Sequence, residues 1–148
     1  MKKMIAVLMM CVSGVALAHD EGHGPKISDT GRFGGLVSAV VLKSEAKKGA
    51  TAALVYKAEL VRSADGTARV YLYDTAMKPL DLKGFDIKGS ATLAAKVKGK
   101  WKDTGFALEL KDNLFIGKMP KVEKKPYNID VTVKQEGREL LTAFDNLD

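Results

Sequence analysis

From Tyr127 onward, apolar and polar residues change places at every step. Tyr127, Ile129, Val131 and Val133 fall on one side, and Asn128, Asp130, Thr132 and Lys134 on the other. Successive side chains of a strand point to opposite faces, so this pattern calls for a half-buried β-strand. Ala91, Leu93, Ala95 and Val97 alternate in the same way with Thr92, Ala94, Lys96 and Lys98. So do Phe106, Leu108 and Leu110 with Ala107, Glu109 and Lys111. Leu54, Tyr56, Ala58 and Leu60 face away from Lys57 and Glu59. No long segment beyond the first eighteen residues carries a helical stripe.

Turn chemistry separates these runs. Asp65-Gly66, Lys111-Asp112-Asn113 and Glu136-Gly137 each lie between two strand-like segments, a hairpin signal. Pro79, Pro120 and Pro126 fall between runs, where a missing amide breaks no ladder. Ser44 to Lys48 fits one helical turn or a solvated loop. Counting Leu36–Leu42, about eight short strands result, a spacing that suits an antiparallel sandwich or a small barrel. The expectation adopted is an all-β fold, an immunoglobulin-like antiparallel β-sandwich of about eight strands over residues 33–148.

The N-terminus reads as an export signal. Lys2 and Lys3 precede an apolar run from Met4 to Val15, and Ala16-Leu17-Ala18 fits a signal-peptidase site. Residues 1–18 are therefore expected to form a signal-peptide helix, and residues 19–32 a flexible polar segment ahead of the domain. This address is periplasmic or secreted. Cys11 is the single cysteine of the chain and leaves with the leader, which excludes disulfides and thiolate chemistry in the mature protein. Loss of Lys2 and Lys3 leaves 22 basic against 18 acidic residues, a net charge of +4 that points only weakly to a polyanionic partner.

Cleavage after Ala18 exposes His19-Asp20-Glu21-Gly22-His23, which holds both histidines of the chain. The free α-amine and the imidazole Nδ1 of His19 can chelate one ion. Asp20, Glu21 and His23 stand close enough in sequence to add ligands, and nitrogen-rich tetragonal sites suit Cu(II) or another divalent metal. A zinc-protease reading fails, because Asp20 occupies the place that motif gives to glutamate and Gly22 opposes a helix. The opposing expectation is an exposed, disordered terminus without a metal.

Catalytic patterns are missing elsewhere. The chain has no Gly-x-Ser-x-Gly elbow and no phosphate-cradling loop ending in Gly-Lys-Ser/Thr. Most acidic residues, Glu59, Asp65, Asp112 and Asp130 among them, fall at outward strand positions or in turns, where a solvated charge is the ordinary reading. No enzyme is expected. Lys96, Lys98, Lys100 and Lys102 alternate beside Trp101, giving a candidate interaction surface for phosphate groups or an acidic protein. The bland reading keeps the lysines as edge protection and Trp101 as core. Tyr71 and Tyr73 oppose Val70 and Leu72, so both faces of that strand should be covered.

Gly31-Arg32-Phe33-Gly34-Gly35, followed by Tyr56-Lys57-Ala58-Glu59-Leu60, Val70-Tyr71-Leu72-Tyr73-Asp74 and Lys78-Pro79, resembles a small periplasmic β-domain. That domain occurs near the N-terminus of some heavy-metal efflux adaptor proteins and in short stand-alone exported proteins. The adaptor pattern opens Gly-Pro-His-Gly-Gly; here Arg32 replaces the proline and Phe33 the histidine. The resemblance therefore carries over Gly34 and Gly35 as turn formers and no ligand. It implies a β-sandwich in a metal-homeostasis setting and no reaction.

The functional expectation is a non-enzymatic exported binding module that handles a divalent, copper-type metal through His19, with a metal-efflux component as partner. The alternative is a module that docks on an envelope protein or surface polymer by a sheet face or edge, without a metal. A nucleic-acid partner is not expected. Cu(II) titration of protein beginning at His19 is expected to show a site that one residue placed ahead of His19 abolishes. Identical titrations of the two forms would remove the copper reading.

Overall fold

The alternating runs become eight antiparallel strands whose ladders join end to end. The computed structural model describes residues 24–148. In chain order the strands are β1 (Leu36–Leu42), β2 (Tyr56–Arg62), β3 (Thr67–Tyr73), β4 (Lys88–Val97), β5 (Lys100–Lys111), β6 (Leu114–Lys118), β7 (Tyr127–Gln135) and β8 (Arg138–Leu147). They close in the order β1-β2-β3-β6-β5-β4-β7-β8. The expected immunoglobulin-like sandwich is therefore wrong, although the all-β class and the strand count hold.

Closure is made where β1 meets β8. Val40, Val41 and Leu42 pair with Thr142, Leu141 and Leu140, and the Ser38 hydroxyl donates to the Ala143 carbonyl at 2.6 Å. A sandwich and a barrel share one alternation, since each strand has a wet and a dry face in both. Only the pairing of the first strand with the last distinguishes them, and those residues lie about a hundred positions apart.

An eight-stranded barrel is just wide enough for its own side chains to fill. The dry faces deliver Val40, Leu60, Val70, Leu93, Leu108, Phe115, Ile129, Val131, Leu140 and Phe144 into one core. Phe144 and Leu147 both enter it although they are three residues apart. The register slips between Tyr127 and Ile129, so β8 holds one extra residue, and Asn146 takes a positive φ of 53° there. The β3–β4 connection brings Leu82 and Phe85 into the same core, with the Phe85 ring 6.3 Å from those of Tyr56 and Phe115. Met119 and Val122 of the β6–β7 connection also pack against it.

The outward face of β7 carries Asn128, Asp130, Thr132 and Lys134. Polarity therefore runs opposite to that of a membrane-spanning barrel, which is apolar outside and polar within. Residues Lys43–Thr51 form a 3₁₀ helix interrupted at Gly49, wider than the single turn considered from sequence. It buries Ala46 with Val41, Ala52 and Leu141 against the outer wall.

One interior position breaks the rule. The Thr142 side chain is turned inward on the closing strand and 3% exposed, and its Oγ1 has no hydrogen-bond partner among the described residues. A buried hydroxyl without a partner costs about 1–3 kcal/mol. Thr142→Val keeps the shape and removes the polar atom, so it should raise unfolding free energy by about 1 kcal/mol in denaturant titration. An equal loss would mean that the hydroxyl is satisfied.

Candidate functional site

His19, Asp20, Glu21 and His23 lie outside the described residues. Among the described residues, no group of three or more His, Cys, Asp or Glu side chains could hold a metal ion. Chemistry-bearing side chains come together elsewhere: Arg62, Tyr127, Lys125 and Asp148 line a cavity of about 580 Å³ at one end of the barrel, and two further surfaces carry residues singled out from the sequence.

The first is the end of the β4–β5 hairpin. The β4–β7 ladder stops at Ala95 opposite Tyr127, whereas β4 and β5 stay paired as far as Val97 and Lys100. Their last rungs thus form an arm beyond the barrel wall. Lys98 and Gly99 reverse the chain with φ values of 51° and 78°, as a tight two-residue hairpin turn requires. This turn divides the lysine stripe. Lys96 is opposite Trp101, whereas Lys100 is opposite Val97 and Lys102 opposite Ala95. Lys96 and Trp101 therefore share one face, and Lys100 and Lys102 share the other. Alternation along the sequence concealed this because an even turn shifts the parity of the returning strand.

Trp101 is 42% exposed rather than core. The Lys96 ammonium lies 5.5 Å from the centre of its ring, a contact worth about 0.5–1 kcal/mol at an exposed site. On the opposite face, Lys102, Val97 and Thr104 line a shallow groove of about 80 Å³ with Lys121 and Glu123. The arm is cationic on both faces.

The second surface is built on Glu59, which sequence reasoning had placed among the solvated charges. Its side chain leaves the outer face of β2 and is 0% exposed. A strap formed by residues 24–35 lies over it. The backbone N–H of Arg32 donates to Oε2 at 2.9 Å, and those of Phe33 and Gly35 donate to Oε1 at 2.8 Å. The buried Tyr73 hydroxyl donates to Oε2 at 2.7 Å. No side chain fits at Gly31 or Gly35: an added Cβ would stand 2.3 Å from Glu59 Oε1 at the first and 2.4 Å from the Leu60 carbonyl at the second. Gly34, with a φ of 75°, supplies the bend between them. Both turn glycines singled out from sequence thus serve this carboxylate.

Further along the strap, Asp29 accepts a hydrogen bond from Lys57 at 2.6 Å, and Gly24 is buried against Ala39 and Val41. The turn presents Phe33 outward. Its ring stacks on Tyr71 with centroids 4.2 Å apart, so the outer face of β3 is covered by the strap of this same chain. The signal for this cluster was in the sequence, as a glutamate on an outward strand position flanked by two tyrosines and a glycine-rich turn. Its burial was not.

Comparison of the chain with protein-family models, with curated proteins and with solved structures gave no match.

Burial pushes the Glu59 carboxyl up, but the hydrogen bonds from Tyr73, Gly35, Phe33 and Arg32 outweigh it and hold it below its ordinary value of 4.5. Burial, and then the hydrogen bond and charge of Glu59, push the Tyr73 phenol up. A carboxyl whose folded value is depressed binds fewer protons folded than unfolded. Its stabilisation is complete above the unfolded value and is lost as pH falls through the folded one. Melting temperature should therefore decline as pH drops below about 4.5. Glu59→Gln should flatten that decline and cost about 2–3 kcal/mol at neutral pH, because its amide turns a donor toward donors. An unaltered acid profile in the variant would show that Glu59 does not set it.

Proposed function

We propose that this protein is an exported, non-enzymatic binding module that docks through the β4–β5 arm onto an anionic surface of the cell envelope. Its barrel is filled by its own side chains, which directs binding to the exterior. The observation that carries the reading is the arm, where Lys96, Lys98, Lys100 and Lys102 are all exposed beside a half-exposed Trp101 beyond the barrel wall. A lysine buries its stem and keeps its ammonium in water, and a tryptophan is suited to a boundary between apolar and wet regions. Together they match a layer of phosphate groups over hydrocarbon. The leader of residues 1–18 supports the compartment. Copper capture by the His19 segment is a separate use, carried by the sequence alone.

Each lysine near an anionic surface contributes about 1 kcal/mol, and salt screens it. Cosedimentation should therefore show binding to vesicles that contain an anionic phospholipid and not to neutral vesicles, with loss of binding as salt rises. Replacing Lys96 and Lys100 together by Gln should weaken it by about 2 kcal/mol, on the order of 30-fold, while lowering the melting temperature only by the small amount that loss of the Lys96–Trp101 contact allows. Equal binding to neutral and anionic vesicles, or none to either, would end this reading.

A further inference from the structure

The strap turn is held more firmly than an exposed turn requires. Three backbone N–H groups of residues 32, 33 and 35 converge on a carboxylate sealed from water. What this turn displays is Phe33, 57% exposed, with its ring laid on Tyr71. Beside the two rings is a cleft of about 180 Å³ whose lining includes Arg32, Pro79 and Asp112. Its far wall is also fixed. Asn113, next to Asp112 in the β5–β6 turn, donates to the Leu80 carbonyl at 2.8 Å and accepts from the Leu82 N–H at 2.9 Å.

We propose that Phe33, Tyr71, Arg32 and Asp112 form a binding site for one ring of a neutral, hydroxyl-rich saccharide chain. The site is distinct from the arm and does not depend on its docking. Four features support this ligand class. The cleft is smaller than the ~300–1,000 Å³ of drug-sized pockets, leaving room for a single ring. The face of an aromatic ring is electron-rich and attracts the positively polarised C–H groups that cover one side of a pyranose. The lining carries one guanidinium and one carboxylate, so its charge balances. Hydroxyl groups, which donate and accept, match both, whereas a charged ligand would meet its own sign at one end. Finally, the aromatic platform is ordered before any ligand arrives, which removes the side-chain ordering share of the cost of binding.

The full chain should be titrated with β-linked N-acetylglucosamine oligomers and, separately, with glucose oligomers, following backbone amide shifts. One of the two series is expected to give saturable shifts at residues 31–35, 71 and 112, with none in 96–102. Phe33→Ala should weaken binding at least ~10-fold, and Phe33→Trp should retain it. Arg32→Gln and Asp112→Asn should each weaken it by about 3–10-fold. Phe33→Trp, Arg32→Gln and Asp112→Asn should melt close to the native protein, because Glu59 is bonded to the backbone at Arg32 and Phe33. Phe33→Ala should melt slightly lower through loss of its stacking on Tyr71, while keeping a cooperative transition. The Lys96→Gln, Lys100→Gln double variant should bind the sugar unchanged. Absence of saturable shifts with both series would overturn the site. So would native affinity in Phe33→Ala, or an acidic oligosaccharide that binds more tightly than the neutral ones.

Discussion

A carboxylate removed from water must find donors or lose its charge, and Glu59 finds four. Taking an ion into a protein costs several kcal/mol even after relaxation. The cost is met here by aiming a turn of backbone N–H groups and one phenol at two oxygen atoms. That arrangement fixes more than the charge. It defines where the strap crosses β2, why glycine occupies positions 31 and 35, and which way Phe33 faces. Lys57, 9% exposed and bonded to Asp29, repeats the device with opposite polarity two residues away on the same outer face of β2. An ion pair and a capped carboxylate therefore fasten a segment that has no ladder of its own.

The strap matters to the barrel because it changes what an outward face means. On β7 the outward residues meet water and the alternation is simple. On β2 and β3 the outward residues Glu59, Tyr71 and Tyr73 meet residues of the strap, so those strands are covered on both sides. Among the described residues the interior is then mostly apolar; Thr142 is buried there without a hydrogen-bond partner, and the hydroxyl of the core residue Tyr127 accepts from Arg62. The hydrogen bonds of Glu59 and Lys57 lie between the barrel wall and its wrapping, not within the core.

This division explains how much could be read in advance. Period two in Tyr127–Lys134 and Ala91–Lys98, together with the turn residues Asp112-Asn113 and Glu136-Gly137, established the class and the strand count, but β5 begins at Lys100, six residues before the alternation from Phe106 marks it. These signals are local. Closure of β1 on β8 is not, because Val40 and Thr142 carry no mark of being neighbours. Glu59 was misread for the same reason: alternation assigns it to the outer face correctly but says nothing of what lies outside. The lysines of the β4–β5 arm show a third kind of error. Lys96 and Lys102 are both even-numbered, and a simple count puts them on one face. The two-residue turn at Lys98-Gly99 intervenes and puts them on opposite faces.

The two exposed surfaces stand in a definite relation to one another through β5. Lys100 begins this twelve-residue strand at the arm, and Asp112 follows its last residue at the cleft beside Phe33. At about 3.3 Å per residue, roughly 40 Å of chain separates them. The residues that line the groove at the arm and those that line the cleft do not overlap, so the two proposed ligands would use separate parts of the surface. A continuous β-ladder is a stiff connection, so the distance between the surfaces is set by the fold and not by a linker. On both proposals, the barrel would act as a spacer of fixed length, with the charged layer at one end of β5 and the sugar chain at the other.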